Sequence, residues 1–151
     1  MIDFVDLNLE EKKEVLSWRN HQNVKSYMYN SQNISLEQHL SFIEGLRDNF
    51  QRQYILVQHI GILVFDFNYQ NKSVFFGLYG NPFNKIAGVG RILERIVKKY
   101  IFNILNFSKL ELEVFYDNLQ VINLHKKFNF QETNRKTVNN KEVICMELIN
   151  D

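Results

Sequence analysis

Lys85-Ile86-Ala87-Gly88-Val89-Gly90-Arg91 stands between two segments of opposite character. Before it, Ser73-Val74-Phe75-Phe76-Gly77-Leu78-Tyr79 is rich in β-branched and aromatic residues, which predicts a strand. After it, Ile92, Leu93, Ile96, Val97, Tyr100, Ile101, Ile104 and Leu105 recur at helical spacing. A long amphipathic helix is expected over residues 88–105. A glycine-containing loop at such a join turns several backbone N–H groups toward one point, and the helix N-terminus adds partial positive charge. That combination suits a phosphate or pyrophosphate and directs attention to phosphate-bearing cofactors.

Outward from this join, residues 2–7 read as a first strand. Asn8 is expected to cap a helix over residues 9–20, with Glu10 and Glu11 in its favourable first turn. Residues 30–33 are polar and read as a loop. Ser35 then caps a helix with Leu36, Leu40, Ile43 and Leu46 on one face. Residues 54–58 and 60–67 form a hairpin. Leu110, Leu112 and Val114 alternate with Glu111, Glu113 and Phe115, a strand pattern. Asp117 or Asn118 caps a short helix carrying Val121, Leu124, His125 and Phe128. Phe130 and residues 142–149 supply the last two strands. The only proline, Pro82, falls between strand and helix, where it removes no ladder hydrogen bond. The order predicts a mixed α/β, or α+β, fold around one sheet of about seven strands.

Bulk properties set further bounds. A chain of 151 residues, 45% hydrophobic and 23% charged, is expected to form a single domain over residues 1–151. Thirteen phenylalanines point to a core of large side chains. The net charge of +1, with no basic tail, argues against nucleic acid as a partner. A single cysteine excludes an intramolecular disulfide and a multi-cysteine zinc site. That residue, Cys145, lies in an apolar strand and is expected to be a buried, inert thiol. The histidines lack metal-ligand spacing, so no metal is expected. The first ten residues carry acidic groups and no apolar core, unlike a signal peptide, and no apolar run is long enough for a bilayer. The cytoplasm is the expected compartment, with no membrane partner.

Two blocks together resemble the GCN5-related N-acetyltransferase (GNAT) superfamily. Its loop after the fourth strand follows Arg/Gln-x-x-Gly-x-Gly/Ala, and here reads Lys85-x-x-Gly88-x-Gly90. The second block, Asn118-Leu119-Gln120-Val121-Ile122-Asn123-Leu124-His125-Lys126-Lys127-Phe128-Asn129-Phe130, resembles the family's Asn-x-x-Ala-Ile-x-Leu-Tyr-Glu-Lys-x-Gly-Phe helix and turn. The resemblance spans residues 55–148. It implies a mixed, mostly antiparallel sheet flanked by helices, with strands four and five splayed apart. It implies acetyl-CoA as co-substrate, its pantetheine lying between those strands against the backbone of Leu78 and Tyr79. The pyrophosphate would then meet the loop that begins at Lys85 and the N–H groups of Ile86, Ala87, Gly88, Val89, Gly90 and Arg91. Asn118 would sit near the pantetheine.

The N-terminal half narrows the resemblance. Trp18-Arg19-Asn20-His21, Tyr27-Met28-Tyr29, Ile34-Ser35-Leu36-Glu37-Gln38-His39-Leu40 and Phe76-Gly77-Leu78-Tyr79-x-Asn81-Pro82-Phe83 resemble nucleotide-sugar N-acetyltransferases of the pseudaminic acid pathway. Those enzymes acetylate the 4-amino group of UDP-4-amino-4,6-dideoxy-N-acetyl-β-L-altrosamine, toward a sugar carried on bacterial flagellin. A Trp-Arg-Asn motif also occurs in enzymes resembling those that modify ribosomal-protein N-termini. A protein N-terminus, a polyamine or another small amine is therefore the rival acceptor. Readings of another class are a non-catalytic acyl-CoA-binding module and a pure interaction domain. Relatives often dimerise through edge strands, which makes the last strands candidates for a homodimer contact.

Acetyl transfer to an amine needs a neutral amine, a stabilised oxyanion and a proton for the departing thiolate. The resemblance implies direct attack in a ternary complex. It makes Glu113 the candidate base, with Glu111 as the competing carboxylate on the same face. His125 stands where the family has its tyrosine, the usual donor to the thiolate. An imidazole releases its proton near pH 6.5 and a phenol near 10, so the replacement changes the acid step. The alternative is a histidine filling the apolar stripe of its helix, with Tyr116 as the fallback donor. Arg19 and His39 are candidates for the nucleotide diphosphate and base, against a surface ion pair and a packing role respectively. Met28, Tyr29 and Tyr79 offer a stacking surface for uracil, or are core. Trp18 is expected in the core. Lys98-Lys99 and Lys126-Lys127 read as solvated helix faces.

Overall fold

Local chemistry starts both N-terminal helices. Asn8 Oδ1 accepts the Glu11 N–H at 2.8 Å while Glu11 Oε1 accepts the Asn8 N–H at 3.0 Å. This reciprocal box opens α1 (Leu9–Asn20), and such a cap stabilises by about 1 kcal/mol. Ser35 and Gln38 repeat the arrangement at α3 (Leu36–Leu46). A short α2 (Gln22–Lys25) lies between them. The computed structural model describes all residues from 1 to 151.

Seven strands form one sheet in the order β1-β2-β3-β4-β5-β7-β6. They are β1 (Ile2–Asp3), β2 (Arg52–Val57), β3 (Gly61–Asn68), β4 (Ser73–Gly80), β5 (Lys109–Phe115), β6 (Gln131–Val138) and β7 (Lys141–Ile149). Every neighbouring pair is antiparallel except β4 and β5. The expected mixed, mostly antiparallel sheet is thus observed. α4 (Val89–Lys98) follows β4, and α5 (Leu119–Lys127) follows β5.

Strand alternation divides the core between the two faces. Leu63, Phe65, Val74, Phe76, Leu110, Leu112 and Val114 pack with Leu93 and Val97 of α4 and Ile122 of α5. Leu56 and Ile62, on the opposite face, pack with Val15 and Trp18 of α1 and Ile43 and Leu46 of α3. Trp18 is buried there, as expected. Burying each large apolar side chain contributes about 1.5–3 kcal/mol.

Three boundaries differ from expectation. The first strand ends at Asp3, whose Oδ1 accepts the Val5 N–H at 3.1 Å and turns residues 4–6 into a 3-10 turn. The helix expected over residues 88–105 widens at Lys99–Ile104 into π geometry, and the Leu105 N–H reaches the Tyr100 carbonyl at 3.0 Å. The wider turn keeps Ile101 and Phe102 buried. The penultimate strand begins just after Phe130 and joins β7 through Asn139 and Asn140, at φ +52° and +62°. Two consecutive positive φ values make the tight hairpin that matches strand twist.

Candidate active site

β4 and β5 pair only through Ser73 with Lys109, Val74 with Leu110 and Phe75 with Glu111. Past Phe75, β4 continues to Gly80 bonded to β3, and β5 continues to Phe115 bonded to β7. The Asn81 N–H donates to the Ile60 carbonyl, so by alternation Gly77 and Tyr79 turn their backbone groups to β3 and Leu78 turns its own toward the gap, where it lacks a ladder partner. Such an edge accepts an extended chain that carries amides. The splay expected of strands four and five is present.

Where β4 leads into α4, Gly88 holds the N-cap position at φ +75°, the left-handed region that favours glycine. No side chain caps this helix. The N–H groups of Lys85, Ile86, Ala87, Gly88, Gly90 and Arg91 have no acceptor within the chain. That of Val89 donates to the Ile86 carbonyl at 3.2 Å, so Val89 leaves the expected set of donors. Unpaired donors at the positive end of a helix suit a pyrophosphate. The residues present thus fit the phosphate end of coenzyme A.

Gly90 also lies close to α5. A Cβ there would lie 2.7 Å from Leu124 Cδ2, so α4 meets α5 at this residue. One turn along, Glu94 faces His125, with Oε1 and Nδ1 3.1 Å apart. Both side chains are buried, Glu94 completely. The imidazole packs edge-on against Phe76 at 6.0 Å and tilted against Phe130 at 5.4 Å. Phe76 is the first β4 residue past the paired segment. His125 therefore lies in the apolar layer and beside the parting strands at once. Tyr116, the fallback donor, is exposed.

Asn118 holds the N-cap position of α5, one of the two residues expected there, and its carbonyl accepts the Ile122 N–H at 3.1 Å, but its side chain makes no capping bond and has no partner within the chain. Cys145 is half-buried rather than buried, because β5 pairs it with Glu113 on the more open face. Burial, then the nearby Glu113, pushes its thiol pKa up.

Glu113 is the most connected of the candidates. Oε1 accepts the Tyr29 O–H at 2.6 Å, and Oε2 pairs with Lys136 Nζ at 2.6 Å. The Tyr29 ring packs edge-on to Phe115 at 5.4 Å, and its carbonyl accepts from Asn139 Nδ2 at 2.8 Å. Burial, then the bond to Glu113, raises the Tyr29 phenol above its usual range. Glu111 instead pairs with Lys109 at 2.9 Å. Glu113 is the less exposed carboxylate, at 17% against 38% for Glu111.

Other candidates are engaged differently. Arg19 Nη2 donates to the Asn30 carbonyl at 2.5 Å, while Nη1 is buried without a partner. Arg19 therefore shapes the loop that carries Tyr29. Asn20 helps by bonding both the N–H and the carbonyl of Ile34. His39 is buried, and its Nε2 donates to the Lys12 carbonyl at 2.9 Å, which makes it a packing residue between α1 and α3. The expected contact of His39 with a nucleotide is thereby corrected. Tyr79 packs against the Trp18 cluster rather than offering a free ring, and burial raises its phenol. Met28 is half-buried beside Tyr29 in the chain.

Lys136 and Glu94 were not among the expected residues. Lys136 reaches Glu113 only through the register of β6 on β7 on β5. Glu94 had a legible signal: it interrupts the apolar stripe of Val97 and Ile101 with a charge.

No protein-family model matches the chain. It is 37% identical to acetyltransferase PseH of Campylobacter jejuni serotype O:2 over 132 residues, covering 85% of this chain and 82% of that protein. It is 35% identical, over the same shares, to acetyltransferase PseH of serotype O:23/36. The crystal structure of the C. jejuni N-acetyltransferase PseH in complex with acetyl coenzyme A matches with TM-score 0.77 at 26% identity, over 99% of this chain and 97% of that one. A spermidine N-acetyltransferase from Vibrio cholerae shares the fold, with TM-score 0.85 at 20% identity over 95% and 92% of the two chains. With its splayed strands, its glycine-opened α4 and these relatives, the chain belongs to the family of acetyltransferase PseH, within the GNAT superfamily.

Proposed function

We propose that this protein transfers the acetyl group of acetyl-CoA to the 4-amino group of a UDP-linked amino sugar, UDP-4-amino-4,6-dideoxy-N-acetyl-β-L-altrosamine, by direct attack in a ternary complex. The observation that carries the acceptor side is Glu113, held between the Tyr29 hydroxyl and Lys136 where β5 leaves β4. Its carboxylate takes the proton of the attacking amine, and His125 donates to the departing sulfur. The upward-shifted Cys145 thiol supports direct attack, since a thiol with a raised pKa is a poor nucleophile. Lys136 already pairs with Glu113, which weighs against a polycationic acceptor competing for the same carboxylate. Leu78, Tyr79 and Asn118 hold the pantetheine, and the free N–H groups of the Lys85 to Arg91 loop hold the pyrophosphate. Met28, Tyr29 and Arg19 border the acceptor. A homodimer would use β6, the exposed edge of the sheet.

Isothermal titration with acetyl-CoA, followed by UDP in the same cell, tests the reading. Binding of both supports a nucleotide-sugar acceptor. Binding of acetyl-CoA without a UDP response moves the acceptor to peptides or small amines. Absence of acetyl-CoA binding overturns the assignment of the loop.

A further inference from the structure

Glu94 is an ionisable group with no surface at all, in the middle of the larger core cluster. Oε2 has no hydrogen-bond partner, and Oε1 has only His125 Nδ1. Leaving a buried carboxylate oxygen unpartnered is costly, and an apolar side chain of similar size would avoid that cost. A residue kept at such a place calls for a role. The pair is also isolated. On α4, Arg91 and Arg95 are exposed, and Lys98 lies over the Phe128 ring. On α5, Lys126 and Lys127 are exposed. The one titratable group of β4, Tyr79, packs in the cluster on the opposite face. Lys109, Glu111 and Glu113 of β5 alternate away from Leu110, Leu112 and Val114, which share the cluster of Phe76. The imidazole therefore faces one charge partner, Glu94.

We propose that Glu94 is the positioning residue of His125, fixing the hydrogen on Nδ1 and leaving Nε2 as the nitrogen that delivers a proton at the parting of β4 and β5. The inference rests on the reading of His125 as the donor. A carboxylate only accepts, so the Nδ1 that faces it carries hydrogen in both the charged and the neutral ring. Nε2 has no partner within the chain. In the transfer, the acceptor nitrogen bonds to the acetyl carbon and the carbon–sulfur bond breaks with its electron pair going to sulfur. The Nε2 proton moves to that sulfur, while the proton of the amine moves to Glu113. The neutral imidazole keeps its Nδ1 hydrogen toward Glu94. Water carries the proton from Glu113 back to Nε2, so amine and thioester give amide and thiol. A tyrosine donor has one oxygen and needs no such partner. The histidine at this place explains the carboxylate opposite it.

The test is kcat and KM, from thiol release, for the intact enzyme and its variants. Glu94→Gln is expected to lower kcat roughly 10- to 100-fold, as loss of an outer partner of an oriented imidazole does, with the KM for acetyl-CoA unchanged. In a His125→Tyr background, Glu94→Gln is expected to leave kcat unmoved. A Glu94→Gln enzyme with wild-type kcat overturns the role of Glu94, while a loss of turnover in His125→Ala keeps His125 as donor. Full turnover in His125→Ala overturns both. Should Glu94 variants not fold, nitrogen-15 spectra of the wild-type imidazole decide. A neutral ring protonated at Nδ1 supports the assignment, and one protonated at Nε2 overturns it.

Discussion

Glu113 shows how a single carboxylate can be read at several levels. Its alternation on β5 turns it away from the apolar layer, and Tyr29 and Lys136 then take one oxygen each. A general base contributes about 10²- to 10⁴-fold. Glu113→Gln is expected to lower kcat by at least about 10²-fold while the melting temperature stays near wild type, checked by thiol release beside a thermal melt. Unchanged turnover would remove the base role. His39 makes a different prediction. Burial holds its imidazole below the ordinary histidine value, partly offset by the bond to the Lys12 carbonyl. In the unfolded chain the ring gains a proton below about pH 6.5, which the folded chain accepts only at lower pH. Stability from this group is thus present above pH 6.5 and lost as pH falls toward the folded value. His39→Gln keeps a donor for Lys12, so its melting temperature should fall less than wild type between pH 7.5 and pH 5. Equal falls would assign the acid loss to other groups.

At the scale of elements, what was legible followed the range of the forces involved. The starts of α1 and α3 could be read because Asn8 with Glu11, and Ser35 with Gln38, act across three residues. The end of β1 could not, since Phe4 and Val5 have strand propensity and only the Asp3 side chain turns them away. The π segment was hidden because residues 100–105 keep an apolar pattern that either helical form satisfies. Glu113 was legible from alternation and resemblance. Its partners were not, because Tyr29 lies far away in the chain and Lys136 depends on strand register. Gly90 was legible as a glycine for ligand approach, whereas its contact is with Leu124. That contact predicts a sign. Alanine favours a helix over glycine by about 1 kcal/mol, so an open site would be stabilised by Gly90→Ala. The atom in the way is a terminal methyl of half-buried Leu124, which can swing aside at less cost than a packed core demands, so the helix gain should win. Gly90→Ala is expected to melt no lower than wild type, and in a Leu124→Ala background, where nothing has to move, it should stabilise more. A Gly90→Ala protein melting clearly lower than wild type would show that Leu124 cannot give way.

Across the whole molecule, β1–β4 and β5–β7–β6 are two half-sheets joined by only three residue pairs. On one face the larger core cluster spans the join, while on the other α1 and α3 cover strands β2 and β3. The Tyr29 loop reaches across to Glu113, Phe115 and Asn139. A pantetheine arm between the halves would add ladder hydrogen bonds where the sheet has fewest, and the loop would hold the phosphates separately. Ligand at about 100 times its Kd stabilises by about 2.7 kcal/mol. At about 2–4 °C per kcal/mol for a chain of this size, acetyl-CoA should raise the melting temperature by roughly 5–11 °C. Hydrogen exchange then separates the two contacts. Acetyl-CoA is expected to protect the gap-facing amide of Leu78 and the free loop amides of Gly88, Gly90 and Arg91. Acetyl-pantetheine, which has no pyrophosphate, should protect the strand alone. Equal protection of the loop by both ligands would mean that the loop responds to closure of the sheet and does not bind phosphate through its own N–H groups.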